Sequence, residues 1–171
     1  IILSGGPSSV YDNQAPQIDS GILNLGIPIL GICYGLQLMV DNTGGNVINK
    51  GHGEYGHAKI HTESDSLLFK NLSVELKVWM SHGDEIDGLS EGFEIIARSS
   101  NNVIAAIQHQ EKPWYGVQFH PEVVHTEKGK IILSNFLFDI ANCKAEWTVK
   151  NFISDTISTI QDRVSEDEKV I

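Results

Sequence analysis

One stretch constrains the fold more than any other. The apolar run Ile27-Pro28-Ile29-Leu30 passes through Gly31-Ile32-Cys33-Tyr34-Gly35-Leu36-Gln37 into Leu38, Met39 and Val40. A short β-branched run ending in G-x-C-x-G and continuing as a helix-compatible segment has the form of a nucleophile elbow, with cysteine where hydrolases carry serine. Such a turn needs a strained backbone, and side chains on the flanking residues would collide with neighbouring strands, hence Gly31 and Gly35. It would put the Cys33 sulfur at a helix N-terminus, where free N–H groups and the helix dipole lower a thiol pKa and can hold an oxyanion. The pattern alone leaves two readings open, a thiol displayed for acyl chemistry and a small residue packed between strand and helix.

The residues around the elbow predict an α/β order. Ile1-Ile2-Leu3 reads as a buried strand, and Ser4-Gly5-Gly6-Pro7-Ser8-Ser9 as the turn after it. That turn could offer backbone N–H groups to a ligand or simply be tight. Ile18, Ile22, Leu23 and Leu25 predict a short helix within residues 14–25, and a second helix is predicted from Leu36 to Asn42, stopped at Thr43-Gly44-Gly45. Strand, helix, strand, helix implies a parallel sheet. Between residues 46 and 110, short runs such as Asn46-Val47-Ile48, Ala58-Lys59-Ile60-His61 and Glu75 to Met80 predict a meander or mixed sheet edge. There Ser81-His82-Gly83-Asp84 is expected to end an apolar strand, either contacting a bound zwitterion or forming an Asx-type turn.

Downstream, Tyr115-Gly116-Val117-Gln118-Phe119-His120-Pro121-Glu122 places His120 and Glu122 on one side at the end of an apolar run. Pro121 lacks an N–H, so this stretch must be an edge or the strand's last turn. A histidine with a carboxylate two residues on can form a base and its orienter, able to take a thiol proton. Residues 127–142 predict a helix burying Ile131, Ile132, Asn135, Phe136, Leu137 and Ile140, and Cys143 after it reads as packing. Thr148 is a plausible N-cap for a last helix carrying Val149, Phe152, Ile153, Ile157 and Ile160.

Charge and composition exclude several partners. A formal net charge of −10, from 12 basic and 22 acidic residues, argues against a nucleic-acid surface. No apolar run approaches the ~20 residues of a membrane span. Cys33 and Cys143, the two cysteines, lie too far apart in sequence to suggest a disulfide framework, so a cytoplasmic setting is expected. His52, His57 and His61 lack the spacing and companions of a zinc site, and no metal is expected. Residue 1 lies inside an apolar run and Glu168-Lys169-Val170-Ile171 reads as the start of another strand. The chain is therefore expected to be a fragment lacking its first strand and helix.

Taken together, the elbow at Gly31 to Gln37 and Gly116-Val117-Gln118-Phe119-His120-Pro121-Glu122 resemble the class I glutamine amidotransferases. Ile1 to Pro7, Val78-Trp79-Met80-Ser81-His82-Gly83-Asp84 and Cys143-Lys144-Ala145-Glu146-Trp147-Thr148 are similar, within that superfamily, to the amidotransferase half of the GMP synthases. The resemblance implies an α/β three-layer sandwich with a mostly parallel mixed central sheet. It implies an amidotransferase domain over residues 1–145, and over 146–171 a linker helix and the start of an ATP-pyrophosphatase domain. It makes Cys33 the nucleophile, His120 the general base, Glu122 its orienter, and Gly6 and Tyr34 the oxyanion donors. Gln37, Ser81, His82 and Asp84 would line the pocket for L-glutamine. No cofactor is implied in this domain; ATP and Mg belong to the synthetase domain, which would be the partner, with a homodimer expected of the full-length enzyme. Amidotransferases of anthranilate, carbamoyl phosphate or CTP synthesis, and a non-catalytic module of the same fold, are the alternatives.

Overall fold

Ile29–Ile32, the strand before the elbow, is buried along its whole length, and the computed structural model shows why. The structure describes residues 1–146 and 148–164. This strand, β2, lies between β1 (Ile2–Leu3) and β7 (Trp114–Val117), parallel to both, with Leu30 beside Ile2 and Gly31 beside Gly116. A strand covered on both faces must be apolar throughout rather than alternating. The other strands are β3 (Asn46–Thr62), β4 (Glu75–Gly88), β5 (Phe93–Ser99) and β6 (Ile104–His109). They complete a seven-stranded sheet in the order β1-β2-β7-β6-β5-β3-β4.

Two helical layers cover it. On one face α1 (Tyr34–Asn42) sets Leu36, Met39 and Val40 against Ile29, Ile107 and Trp114. On the other, α2 (Gly129–Ser134) and the π-helical turn Asn135–Ile140 bring Ile132, Phe136 and Ile140 onto Leu30, Ile32, Val117 and Phe119. Each fully buried side chain of this size stabilises the fold by about 1.5–3 kcal/mol. The three-layer α/β sandwich and mixed sheet follow the sequence expectation. Parallel pairing, however, is confined to β1-β2 and β2-β7, and the remaining ladders are antiparallel.

Several local expectations need correction. Asn46 to Ile48 and Ala58 to His61 are two ends of one strand, β3, whose register against β4 slips between Asn49 and Glu54. Ser81 to Asp84 does not end a strand: β4 runs on to Gly88 because Tyr55, Glu54 and Asn49 of β3 pair with Ser81, His82 and Asp84. Residues 14–25 form only a 3₁₀ turn, Ser20–Asn24, since Pro16 and Gly21 disfavour a regular helix. Ile131 faces outward, whereas Asn135 is buried and donates its amide to the carbonyls of Leu68 and Lys70. The last helix, α3 (Val149–Arg163), begins as predicted, with Thr148 Oγ1 accepting from Asn151 N–H. The strand expected at Glu168 to Ile171 lies outside the described residues.

Candidate active site

Three loops converge where parallel strands end: Ser4 to Ser9 after β1, Cys33 after β2, and Gln118 to Glu122 after β7. The carboxyl ends of parallel strands are where α/β sheets place their ligands. Cys33 is the turn between β2 and α1, at φ 51° and ψ −108°, a sparsely populated conformation costing about 1–3 kcal/mol. Its N–H donates to Val117 O at 2.8 Å, and its carbonyl accepts from Leu36 and Gln37 N–H, both at 3.1 Å. The flanking glycines leave no room for side chains: a β-carbon at Gly35 would overlap the Leu3 carbonyl, and one at Gly31 would meet Leu36 Cα at 2.7 Å. The elbow read from the sequence is thus present, its strain carried by the cysteine itself.

The thiol departs from expectation. Cys33 is 4% exposed, and burial pushes its pKa up to about 11, with the nearby Glu122 carboxylate adding to the rise. The Tyr34 backbone N–H and the Gln118 amide both donate to the sulfur and pull the other way without prevailing. A helix N-terminus was expected to lower it, but desolvation of a buried thiolate outweighs two donors. The thiol proton rests on Ser81 O, at 3.6 Å from Sγ.

His120 and Glu122 form a pair, with His120 Nδ1 donating to Glu122 Oε1 at 2.7 Å. That bond engages Nδ1 and leaves Nε2 outside it. β7 ends at Val117, so the pair lies in the turn beyond a central strand, the second of the two placements that Pro121 allowed. This turn is sewn to β4: His120 N–H donates to Trp79 O at 3.0 Å, Trp79 N–H donates to Thr126 Oγ1 at 3.0 Å, and that hydroxyl donates to His120 O at 2.5 Å. The imidazole and Cys33 border one point, since a β-carbon on Gly5 would lie 2.8 Å from His120 Cε1 and 3.6 Å from Cys33 Cβ.

A cavity of about 430 Å³ opens beside the thiol, large enough for an amino acid. Of the residues that the resemblance put at the site, Gly6, Cys33, Gln37, Ser81, His82 and Asp84 line this cavity; Tyr34, His120 and Glu122 do not. Asp84 Oδ1 accepts from Asn49 at 2.8 Å, while the Asp84 carbonyl accepts from Gln37 Nε2 at 2.8 Å and His82 Nδ1 at 2.9 Å. His82 Nε2 faces the Glu54 carboxylate at 3.4 Å, so both ring nitrogens are committed within the protein. Sequence reasoning missed Asn49, Tyr55 and Asp12 in the cavity wall, and Thr126 behind His120. It also gave no role to Gln118, although a glutamine inside the run Val117 to Phe119 was a visible signal.

The family model "Glutamine amidotransferase class-I" matches residues 1–140. The GMP synthase [glutamine-hydrolyzing] of Prochlorococcus marinus subsp. pastoris is 51% identical over the whole chain, which spans 32% of that relative. That of Thermobifida fusca is 46% identical over 96% of the chain and 31% of its own length. The chain therefore spans about a third of these relatives. Among solved structures, a protein from Thermoplasma acidophilum, provisionally described as one subunit of a GMP synthase, is 33% identical. It matches with a TM-score of 0.64 over 82% of this chain and 64% of that one. A glutamine amidotransferase from Thermotoga maritima, 24% identical, shares the fold with a TM-score of 0.55 over 83% of this chain and 54% of its own.

Proposed function

The chain belongs to the class-I glutamine amidotransferase family, and on that premise we propose that it is the glutaminase unit of a GMP synthase, supplying ammonia for the amination of XMP. The observation that carries this reading is a strained, buried thiol with a histidine–carboxylate pair on one side and a cavity of amino-acid size on the other.

Cys33 is the nucleophile and starts as a neutral thiol, given its pKa of about 11. His120 Nε2 takes the proton as sulfur attacks the side-chain amide carbon of glutamine, and Glu122 holds the ring and stabilises the imidazolium. The backbone N–H groups of Gly6 and Tyr34 receive the oxyanion; a donor of this kind is worth roughly 10² to 10³ in rate. His120 then gives its proton to the departing nitrogen, which leaves as ammonia. The γ-glutamyl thioester on Cys33 is opened by water, whose proton restores the thiol, and glutamate departs. Gln37, Ser81, His82 and Asp84 shape the pocket around the substrate's α-amino and α-carboxylate groups.

Residues 1–145 form the amidotransferase domain, and 146–171 lead into an ATP-pyrophosphatase domain. ATP and Mg act in that partner domain, where ammonia meets the activated nucleotide. Among the described residues no helix is long and apolar enough to cross a membrane. The reading places the enzyme in the cytoplasm, as a homodimer in its full-length form. Glutamine hydrolysis by the full-length protein tests it: Cys33→Ala and His120→Ala should each abolish glutamate formation, and activity retained in either would sink the assignment.

A further inference from the structure

A line of buried amides runs from the cavity wall to the reacting sulfur. Gln37 is 3% exposed and Gln118 is fully buried. Gln37 Nε2 lies 2.8 Å from the Asp84 carbonyl and 3.2 Å from Gln118 Oε1, and Gln118 Nε2 lies 3.7 Å from Cys33 Sγ. The direction of this line is dictated at its far end. A backbone carbonyl can only accept, so the Gln37 group that meets Asp84 O must be its NH₂. The same NH₂ reaches Gln118, so the Gln118 atom facing it must be the amide oxygen. Gln118 is left with its own NH₂ towards the sulfur. The carbonyl that orients the line is itself held, because His82 Nδ1 also donates to it at 2.9 Å while His82 Nε2 meets Glu54.

We propose that Gln118 is a catalytic residue, an N–H donor held on the Cys33 sulfur, and that Gln37 is the positioning residue that fixes which end of the Gln118 amide faces it. The assignment rests on Cys33 being the nucleophile of the reading above. Among the described residues the sulfur has two N–H donors, the Tyr34 backbone and Gln118. Once the developing oxyanion engages the Tyr34 N–H, Gln118 is the donor left to the sulfur, both in the thiolate before attack and as sulfur leaves again during hydrolysis. The charged and titratable groups around the thiol are His120 and Glu122 beyond β7, and Asp12 and Tyr55 in the cavity wall; His82 and Asp84 of β4 and Glu54 of β3 lie at the far end of the line. An N–H on the sulfur offsets part of the cost of forming an anion there.

The test is the rate of alkylation of the Cys33 peptide by iodoacetamide, read by mass spectrometry across the neutral to alkaline range in the full-length protein without glutamine. Gln118→Met keeps the volume and removes the donor. It should slow alkylation about tenfold at every pH below the thiol midpoint, equal to an upward shift of about one pH unit. Gln37→Met should slow it less, and the double variant should match Gln118→Met alone, because Gln37 acts only through Gln118. If Gln118→Met does not fold, Gln118→Asn, whose amide is one methylene short of the sulfur, should give the same slowing. A Gln118 variant that folds and whose profile superimposes on the parent's overturns the proposal, as does a double variant in which the Gln37 effect adds in full. Because the probe needs no glutamine, a shifted profile in a protein that never hydrolyses glutamine would uphold the donor and overturn the glutaminase reading instead.

Discussion

The imidazole of His120 and the β-carbon of Cys33 face the same point in space, and Gly5 occupies it with a hydrogen. The first loop of the chain therefore sets the spacing between the His120 ring and Cys33. Gly5→Ala would place a methyl carbon 2.8 Å from His120 Cε1, so the ring must shift. A displacement near 1 Å is expected to lower kcat by about 10²-fold. Steady-state glutaminase assays, with circular dichroism to show an intact fold, check this.

Glu122 acts on His120 through one short bond, and the two contributions of that bond can be separated. Glu122→Ala should lower kcat by about 10²-fold or more, the scale of general acid–base contributions. Glu122→Gln keeps an acceptor for Nδ1–H but loses the charge that favours the imidazolium, so it should fall between parent and Glu122→Ala. Comparing kcat for the two variants measures orientation against electrostatics.

Thr126 is predicted to matter without touching substrate. It is buried, accepts from Trp79 N–H and donates to His120 O, tying the turn that carries His120 to β4. Thr126→Val leaves the Trp79 N–H without an acceptor, a loss of about 1–3 kcal/mol. Urea unfolding should report that loss, and kinetics should show a lower kcat with KM little changed.

The raised thiol pKa makes stability fall in alkali. Between the ordinary thiol value and about 11, the unfolded chain loses the Cys33 proton while the folded protein keeps it. The folded state binds more protons there, so unfolding free energy decreases as pH rises through this window, by up to about 3 kcal/mol from this group. Tyr11, Tyr34 and Tyr115 are also raised and add a decline in the same direction. Urea titrations of parent and Cys33→Ala at neutral and alkaline pH should show the difference between the two shrinking with pH.

What could be read from the sequence was what neighbouring residues specify. The elbow is a run of consecutive residues whose glycines and cysteine impose their geometry locally, and His120 and Glu122 are two positions apart. Asn49, Tyr55 and the continuation of β4 through Ser81 to Asp84 depend on the register of β3 against β4, which slips by several residues between Asn49 and Glu54. No periodicity announces such a slip. The thiol was misjudged for a related reason: helix N-terminal stabilisation is a local property of the elbow, whereas burial of Cys33 comes from β4, β7 and the loops packed over it. The π-helical turn that continues the helix from Asn135 to Ile140 was equally out of reach, and the carbonyls that Asn135 meets, at Leu68 and Lys70, lie some 65 residues earlier.

The account turns on a γ-glutamyl group passing through one sulfur. The most direct measurement is to quench the full-length protein in acid during turnover of isotopically labelled glutamine and to locate covalent label by peptide mass spectrometry. The account predicts label on the peptide containing Cys33, released by mild base and absent in Cys33→Ala. Glutamate formation with no label on that peptide, or label on another residue, would contradict it.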